Sequence, residues 1–258
     1  GKRLIPLLLH AGYSVIVLSR NPGSQKQQGG VRYALWNPEN NTCDNDALSA
    51  IDYMIHLAGE PVAGKRWTAE QKKRIADSRI LGTRYLVSEL RKAGRCSVFV
   101  GASAIGFYGA DIPGNAPFTE DAPASAGFLS ETCAAWEAEE LKATEFARTV
   151  TLRIGIVLAR DGGALPEFTR TAGMRILGIP GSGSQYVSWI HVDDFAGMIL
   201  HAIQSASLQG VYNAVAPTPV TCRQLMNGIA KEKGGFFLTM PVPAVFIKIA
   251  LGEMSIEI

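Results

Sequence analysis

Cysteine is scarce in this chain, charge of one sign does not dominate, and long apolar runs are absent. The four cysteines in 258 residues (Cys43, Cys96, Cys133 and Cys222) form no Cys-x-x-Cys pair and no His-matched spacing, so no metal site is expected. They read as reduced thiols of a cytoplasmic protein, and a disulfide-stapled scaffold would be unusual at this length. No apolar run approaches the roughly 20 residues that span a bilayer. The stretch Leu4–Leu9 is interrupted by Pro6 and too short for a signal peptide. A net charge of +2, with 19% charged residues, points to neither a nucleic acid nor a membrane surface as partner. The cluster Lys72-Lys73-Arg74 is of the kind that helix surfaces commonly carry. With 47% hydrophobic residues, the chain can bury one sizeable core, or one large and one small lobe.

Strand and helix patterns alternate along the chain. Leu4–His10 reads as the end of a helix closed by Ala11-Gly12. Ser14–Ser19 is a continuous β-branched run, the mark of a strand buried on both faces. Val31–Trp36 and Tyr53–Leu57 read as further strands, with a helix end at Ala47–Ile51 between them. Thr68 is expected to cap a long helix reaching Ala93, with Glu70 and Gln71 in its first turn. The strand Ser97–Ala102, the helix Glu131–Ala147 and the strand Thr149–Val157 follow. A short strand at Trp189–His191 precedes a helix over Asp193–Gln204, with Asp193 as its cap and His191 in a structural role. Beyond Gly210 the pattern loosens into Val211–Ala214, Thr221–Lys231 and the apolar stretch Pro241–Leu251. Strand–helix–strand repeated this often predicts an α/β, doubly wound parallel sheet with a small C-terminal lobe. The sequence reads as opening inside the first helix of such a fold, after its first strand and Gly-rich turn. It reads as stopping at Ile258 inside an apolar pattern.

Six segments carry a resemblance: HLAGEPVAGKRW at 56–67, SRILGT at 78–83, GASAIGFYG at 101–109, CAAWE at 133–137, LRIGIVLARDGGAL at 152–165 and GSGSQYVSWIHVDD at 181–194. Each alone is weak; six in order at family spacing are specific. Together they resemble the extended and atypical short-chain dehydrogenase/reductases, in particular the sugar-nucleotide epimerase-like group, over nearly the whole chain. The resemblance implies a Rossmann fold with an NAD(P)-binding domain at 1–160. Residues 161–258 would return to the sheet and form the small substrate lobe.

It also implies a cofactor site. Gly1 falls at the last glycine of a Gly-x-x-Gly-x-x-Gly loop, where backbone approaches the pyrophosphate at a helix N-terminus. Ser19 and Arg20 follow the second strand, where these folds hold the adenosine ribose. An arginine there suits a 2′-phosphate better than a 2′-hydroxyl, so NADP is expected ahead of NAD. Leu57, Ala58 and Gly59 resemble the small-residue turn that packs on the cofactor. Arg79, Gly101, Ala102, Gly155 and Ile156 complete the implied cofactor set. Arg79 can equally pair with a substrate phosphate or carboxylate, support Ser103, or belong to an ordinary surface helix pair. Arg153, within a run of buried strand residues, needs a partner.

For catalysis, the wider superfamily uses a serine or threonine with a Tyr-x-x-x-Lys pair. Ser103 matches the serine, and Tyr108 matches the tyrosine of the Tyr-Gly signature that follows it. No Tyr-x-x-x-Lys occurs in the chain; Phe128 and Thr132 fall near those two places. Tyr108, Glu131 or Cys133 would then have to substitute, although Cys133 reads better as a small buried hydrophobe. Glu60, Phe128, Gln185 and Trp189 are the substrate-side candidates. Lys65, Arg66 and Trp67 share the loop with Glu60, either facing the pocket or serving as lid or surface. His56 reads as a packed strand histidine, and Trp136 and Glu137 as packing and surface residues. The resemblance thus implies an NADP-dependent enzyme acting on a polar small molecule, with nucleotide sugars as one class. The rival reading is a cofactor-binding regulatory or scaffold protein without catalysis. Relatives pair through their two long helices, so a homodimer through Thr68–Ala93 and Glu131–Ala147 is compatible with the resemblance.

Overall fold

The computed structural model describes residues 1–24, 29–111, 117–169, 175–243 and 252–254. Its first elements are α1 (Leu4–His10), β1 (Val15–Ser19), β2 (Val31–Asn37), β3 (Thr42–Cys43), α2 (Asn45–Ser49), β4 (Tyr53–His56) and α3 (Ala69–Ala93). Next come β5 (Val98–Ala104), α4 (Phe128–Leu141), β6 (Arg148–Ile154), β7 (Ile156–Ala159), β8 (Gly162–Gly163), α5 (Leu165–Phe168) and β9 (Ile176–Pro180). The order closes with β10 (Tyr186–Val187), β11 (Trp189–His191), α6 (Val192–Gln204), β12 (Gly210–Ala214), β13 (Val220–Thr221), α7 (Cys222–Lys233) and β14 (Leu238–Val242).

Four strands form a parallel sheet in the spatial order β12-β6-β5-β4. Alternation along β5 shows why helices must cover both faces. Val98 and Val100 pack with Leu4 and Leu8 of α1 and with Ile199 and Ile203 of α6. Phe99 points the other way, into a cluster with Leu86 and Leu90 of α3 and with Ala143. This is the doubly wound Rossmann arrangement the sequence pattern implies. β1 pairs in parallel with β2, which turns back antiparallel into β3. Among the described residues, one edge of β1 and one edge of β4 lack a strand partner. Against the expectation of a strand buried on both faces, the residues of β1 are half-buried throughout. A third cluster, of Leu177, Ile179, Val187, Cys222 and Met226, gathers β9, β10 and α7. β14 lies parallel to β9. Most of the stretch Pro241–Leu251 lies outside the described residues.

Local chemistry sets the element ends. Thr68 caps α3, its Oγ1 accepting from the Gln71 amide at 3.1 Å, and Gly94 closes the helix with φ 71°. α4 starts at Phe128, earlier than expected, and tightens after Leu141 into a 3-10 turn over Lys142–Glu145. Asp193 is not the cap of α6. His191 is, with Nδ1 accepting from the Asp193 amide at 3.3 Å. Residues 149–157 are two strands, because the chain leaves β5 and β12 at Gly155 to join β11. A Cβ at Gly155 would stand 2.5 Å from the Ser188 carbonyl oxygen, so only glycine allows this crossing. No helix among the described residues is long and apolar enough to cross a membrane.

Between α4 and the sheet lies a polar layer. Ser103 pairs in register with Arg153, and Gly101 with Thr151. Glu137 of α4 meets the first pair, and Glu140, one turn on, meets the second. Glu140 is wholly buried. Its Oε2 accepts from Thr151 Oγ1 at 2.6 Å, while its Oε1 has no partner among the described residues. A Cβ on Gly101 would fall 2.1 Å from that Oε2, so the missing side chain of Gly101 is the space the carboxyl occupies. Burial pushes Glu140 well above the usual carboxylate range, and Thr151 only partly offsets it. The folded state therefore keeps a proton that the unfolded state releases, and stability falls as pH rises above the ordinary carboxyl range. Thermal melts of Glu140→Gln against wild type should show a gap in the variant's favour that widens from about pH 5 to about pH 8. A pH-independent gap would mean that the carboxyl is not held neutral.

Candidate functional site

The carboxyl ends of β4, β5 and β6 point the same way in the parallel pairings, β1 runs parallel to β2, and the candidate residues fall into three groups.

The first group is buried. Ser103, 2% exposed, ends β5 and donates from Oγ to Glu137 Oε1 at 2.6 Å. Arg153 grips the same carboxylate with two hydrogen bonds, Nε to Oε1 at 2.8 Å and Nη2 to Oε2 at 2.9 Å. Its Nη1 donates to Tyr108 Oη at 2.8 Å and to the Glu120 carbonyl at 3.0 Å. Tyr108 donates in turn to Asn213 Oδ1 at 2.7 Å and stacks on Phe118. The Arg153 guanidinium also lies 3.5 Å from the centre of the Phe107 ring. Burial pulls Arg153 down, but Glu137 and Tyr108 outweigh it and hold the guanidinium above its usual value. Ser103 and Tyr108, paired by the sequence as catalytic candidates, are thus brought together through Glu137 and Arg153. Glu137 is no surface residue. It is the partner Arg153 needs, which sequence reasoning missed.

The second group surrounds the turn after β4. Leu57 and Gly59 are exposed and Ala58 half-buried. Arg79 of α3 lies directly beneath: a Cβ on Gly59 would be 3.0 Å from its Cζ. Arg79 Nη1 donates to the carbonyls of Glu60 at 2.9 Å and Ile75 at 3.1 Å, and its guanidinium stacks over Trp136. Glu60 accepts from Gln71 and Lys65, and these bonds hold its carboxyl below the usual range. Next to this group, burial pushes the Cys133 thiol up to about 11, which leaves it protonated and a poor nucleophile at neutral pH. His56, at the end of β4, is joined to Thr83 Oγ1 at 2.9 Å. Burial lowers its pKa to about 4, so it is a neutral packed histidine, as its strand position suggests.

The third group is peripheral. Ser19 and Arg20 close β1, and Arg20 Nη1 meets Glu39 Oε1 at 3.2 Å, both side chains well exposed. Glu39 joins Glu60, Arg74, Ser78 and Leu81 along an open cleft of about 1380 Å3 between the turn after β2 and α3. A smaller cleft of about 280 Å3 brings Gly1 beside Leu57, Val157, Gly163 and Phe195. Gly101 and Ala102 are buried, and Gly155 and Ile156 are half-buried at the strand crossing. Phe128 packs edge-on against Trp67 of the loop after β4. Gln185 and Trp189 are not drawn to Ser103 by any hydrogen bond. Gln185 donates to the Pro180 carbonyl at 3.1 Å, and Trp189 packs on the third cluster. Among the described residues, no group of three His, Cys, Asp or Glu could hold a metal ion.

With this geometry in view, the comparisons are specific. Residues 1–214 match the model of the NAD dependent epimerase/dehydratase family. The chain belongs to that family. It is 37% identical over 261 residues to the epimerase family protein YfhF of Bacillus subtilis, covering all of this chain and 84% of that protein. It is 35% identical to the chloroplastic SDR39U1 homolog of Arabidopsis thaliana, covering 98% of this chain and 73% of that one. Among solved structures, the human epimerase family protein SDR39U1, crystallised with NADPH, superposes with a TM-score of 0.80 at 26% identity. That match covers 99% of this chain and 84% of the human one.

The buried pair can be tested directly. Removing one partner leaves an uncompensated charge, which costs about 3–5 kcal/mol. Glu137→Gln should therefore unfold at markedly lower urea concentration than wild type. The double variant Glu137→Gln, Arg153→Met should recover part of the loss. Strict additivity of the single losses would show that the two residues do not act as a pair.

Proposed function

We propose that this chain is an NADP(H)-dependent oxidoreductase of the epimerase/dehydratase type, acting on a polar small molecule. Nucleotide sugars, the substrate class implied by the resemblance, are the first to screen. The observation that carries the cofactor half is Arg20, an exposed guanidinium at the carboxyl end of β1. A doubly wound fold meets the adenosine ribose there. The human relative crystallised with NADPH supports the same assignment. In this reading Leu57, Ala58 and Gly59 lie along the cofactor, which supplies or accepts hydride at a hydroxyl-bearing carbon. The chain's own residues bind and orient. Ser103 and Tyr108 form the wall that Glu137 and Arg153 fix, and Phe128 and Trp67 close the side toward the loop.

One observation favours a second reading, a non-catalytic NADP(H)-binding regulatory protein. Both hydroxyl protons of the Ser103–Tyr108 pair are committed, to Glu137 and to Asn213. Turnover of NADPH with any substrate separates the two readings, since a sensor binds without oxidising or reducing.

The deciding measurement is a fluorescence titration of the full-length protein with NADPH and NADH. NADPH should bind about tenfold or more tightly than NADH. Arg20→Asp should abolish that preference. Glu39→Gln should strengthen NADPH binding alone, because the 2′-phosphate no longer competes with a carboxylate for Arg20. If neither nucleotide binds the wild-type protein, the reading fails.

A further inference from the structure

The segment from Glu60 to Arg79 is rich in cations, and most have an acidic partner. Lys65 pairs with Glu60 at 3.2 Å, Lys72 with Glu253 at 2.7 Å, and Lys73 with Asp77. Arg66, Arg74 and Arg79 form no close ion pair among the described residues, although Glu60 acts on Arg74 and Arg79 at longer range. Arg79 differs from the other two by its surroundings. It is half-buried, and only its Nη1 is engaged, by two backbone carbonyls. Nε and Nη2 have no acceptor among the described residues. Trp136 backs the guanidinium at 5.2 Å, and the Cys133 thiol beside it stays neutral. Gly59 covers it without a side chain, with both Nη atoms 3.2 Å from where a Cβ would be. Any larger residue there would bury the fork.

We propose that Arg79 is the centre of an anion-binding subsite beside the cofactor turn, so that the substrate presents a carboxylate or a phosphate group to it. The inference rests on the reading of the cofactor site given above and adds the charge class of the substrate. A guanidinium withdrawn from water without a counter-ion is costly. A planar oxyanion that accepts two parallel hydrogen bonds removes that cost and is the ligand the fork matches. Arg66 and Arg74 add long-range attraction at the entrance without being buried themselves, so their contribution is screened by salt.

The test is calorimetric titration of the full-length protein, with and without saturating NADPH, using inorganic phosphate and malonate as probes. Wild type is expected to bind one of them, and which one binds tells phosphate from carboxylate recognition. Arg79→Gln should weaken that binding about tenfold or more, and by clearly more than it weakens NADPH binding. Arg79→Lys should keep part of it. Should Arg79→Gln melt early because the Glu60 and Ile75 carbonyls lose their donor, the double variant Arg66→Gln, Arg74→Gln decides. It should weaken the same anion about threefold at low salt and leave binding unchanged at high salt. Three outcomes overturn the proposal: neither anion binds wild type, Arg79→Gln binds as wild type does, or Arg79→Gln loses NADPH about tenfold. The last would assign the arginine to the cofactor's own phosphates. Anion binding by a protein that takes up no NADPH would leave this subsite standing and sink the cofactor reading instead.

Discussion

The ion pair between Arg153 and Glu137 is the constraint on which the interior depends. Both side chains are more than nine-tenths buried, and taking two charges out of water costs several kcal/mol each. The fold recovers this only by satisfying nearly every remaining donor and acceptor. Ser103 donates to the carboxylate, while Tyr108 and the Glu120 carbonyl accept from the guanidinium. Each of these groups sits on a different segment: the end of β5, the turn after it, and the loop before α4. Asn213 then brings in β12 through Tyr108. A displacement of any one would leave a buried donor or acceptor of the ion pair unsatisfied in a low-dielectric interior. The network therefore specifies how α4, β5, β6 and β12 register against one another more sharply than apolar packing alone.

That same network separates support from chemistry. Its hydroxyl groups have their protons placed inside the protein, and Ser103 is almost inaccessible. The exposed groups lie at the turn after β4, where Leu57 and Gly59 are exposed and Arg79 lies just below. Glu140 deepens the contrast. Its carboxyl fills the space behind Gly101, and burial pushes it well above the usual carboxylate range, which disfavours a second negative charge one turn from Glu137. The layer behind β5 is thus polar but carries a single compensated ion pair.

Much of this was legible in the sequence. The continuous apolar strands and the capped helix at Thr68 follow from local propensity, and the structure places them within a few residues. The turn at Leu57–Gly59 and the match of Ser103 to its strand end came from motif resemblance. The Arg153–Glu137 pair was only half legible. A buried arginine in a strand demanded a partner, but Glu137 lies sixteen positions away on a helix, and tertiary distance leaves no local trace. A signal was nevertheless present. Thr149, Thr151 and Arg153 alternate with Val150, Leu152 and Ile154, so one face of β6 is polar in a strand that both layers cover. Glu137 and Glu140 stand at helical spacing to meet that face. Period-two polarity in a buried strand, matched to a helical acidic pair, would have located the layer. The half-buried state of β1 was not legible, since it depends on which strand lies beside it.

Three arginines show why residue type alone could not assign the site. Arg153 is buried and doubly bonded to a carboxylate, so its charge is already compensated. Arg20 is exposed and paired with Glu39 across water, an association worth about 0–1 kcal/mol. A phosphate, which binds arginine with more charge and in a bidentate mode, readily replaces such a partner. Arg79 lies between these extremes, half-buried and in no close ion pair among the described residues, with Glu60 acting on it only at longer range and a glycine covering it. In the proposed reading, the free energy available for binding an anion does not follow burial alone. It is absent where the charge is already compensated and modest where solvent compensates it. It is largest where protein and water each compensate the charge only in part. Environment, and not the guanidinium itself, decides which of the three a ligand can use.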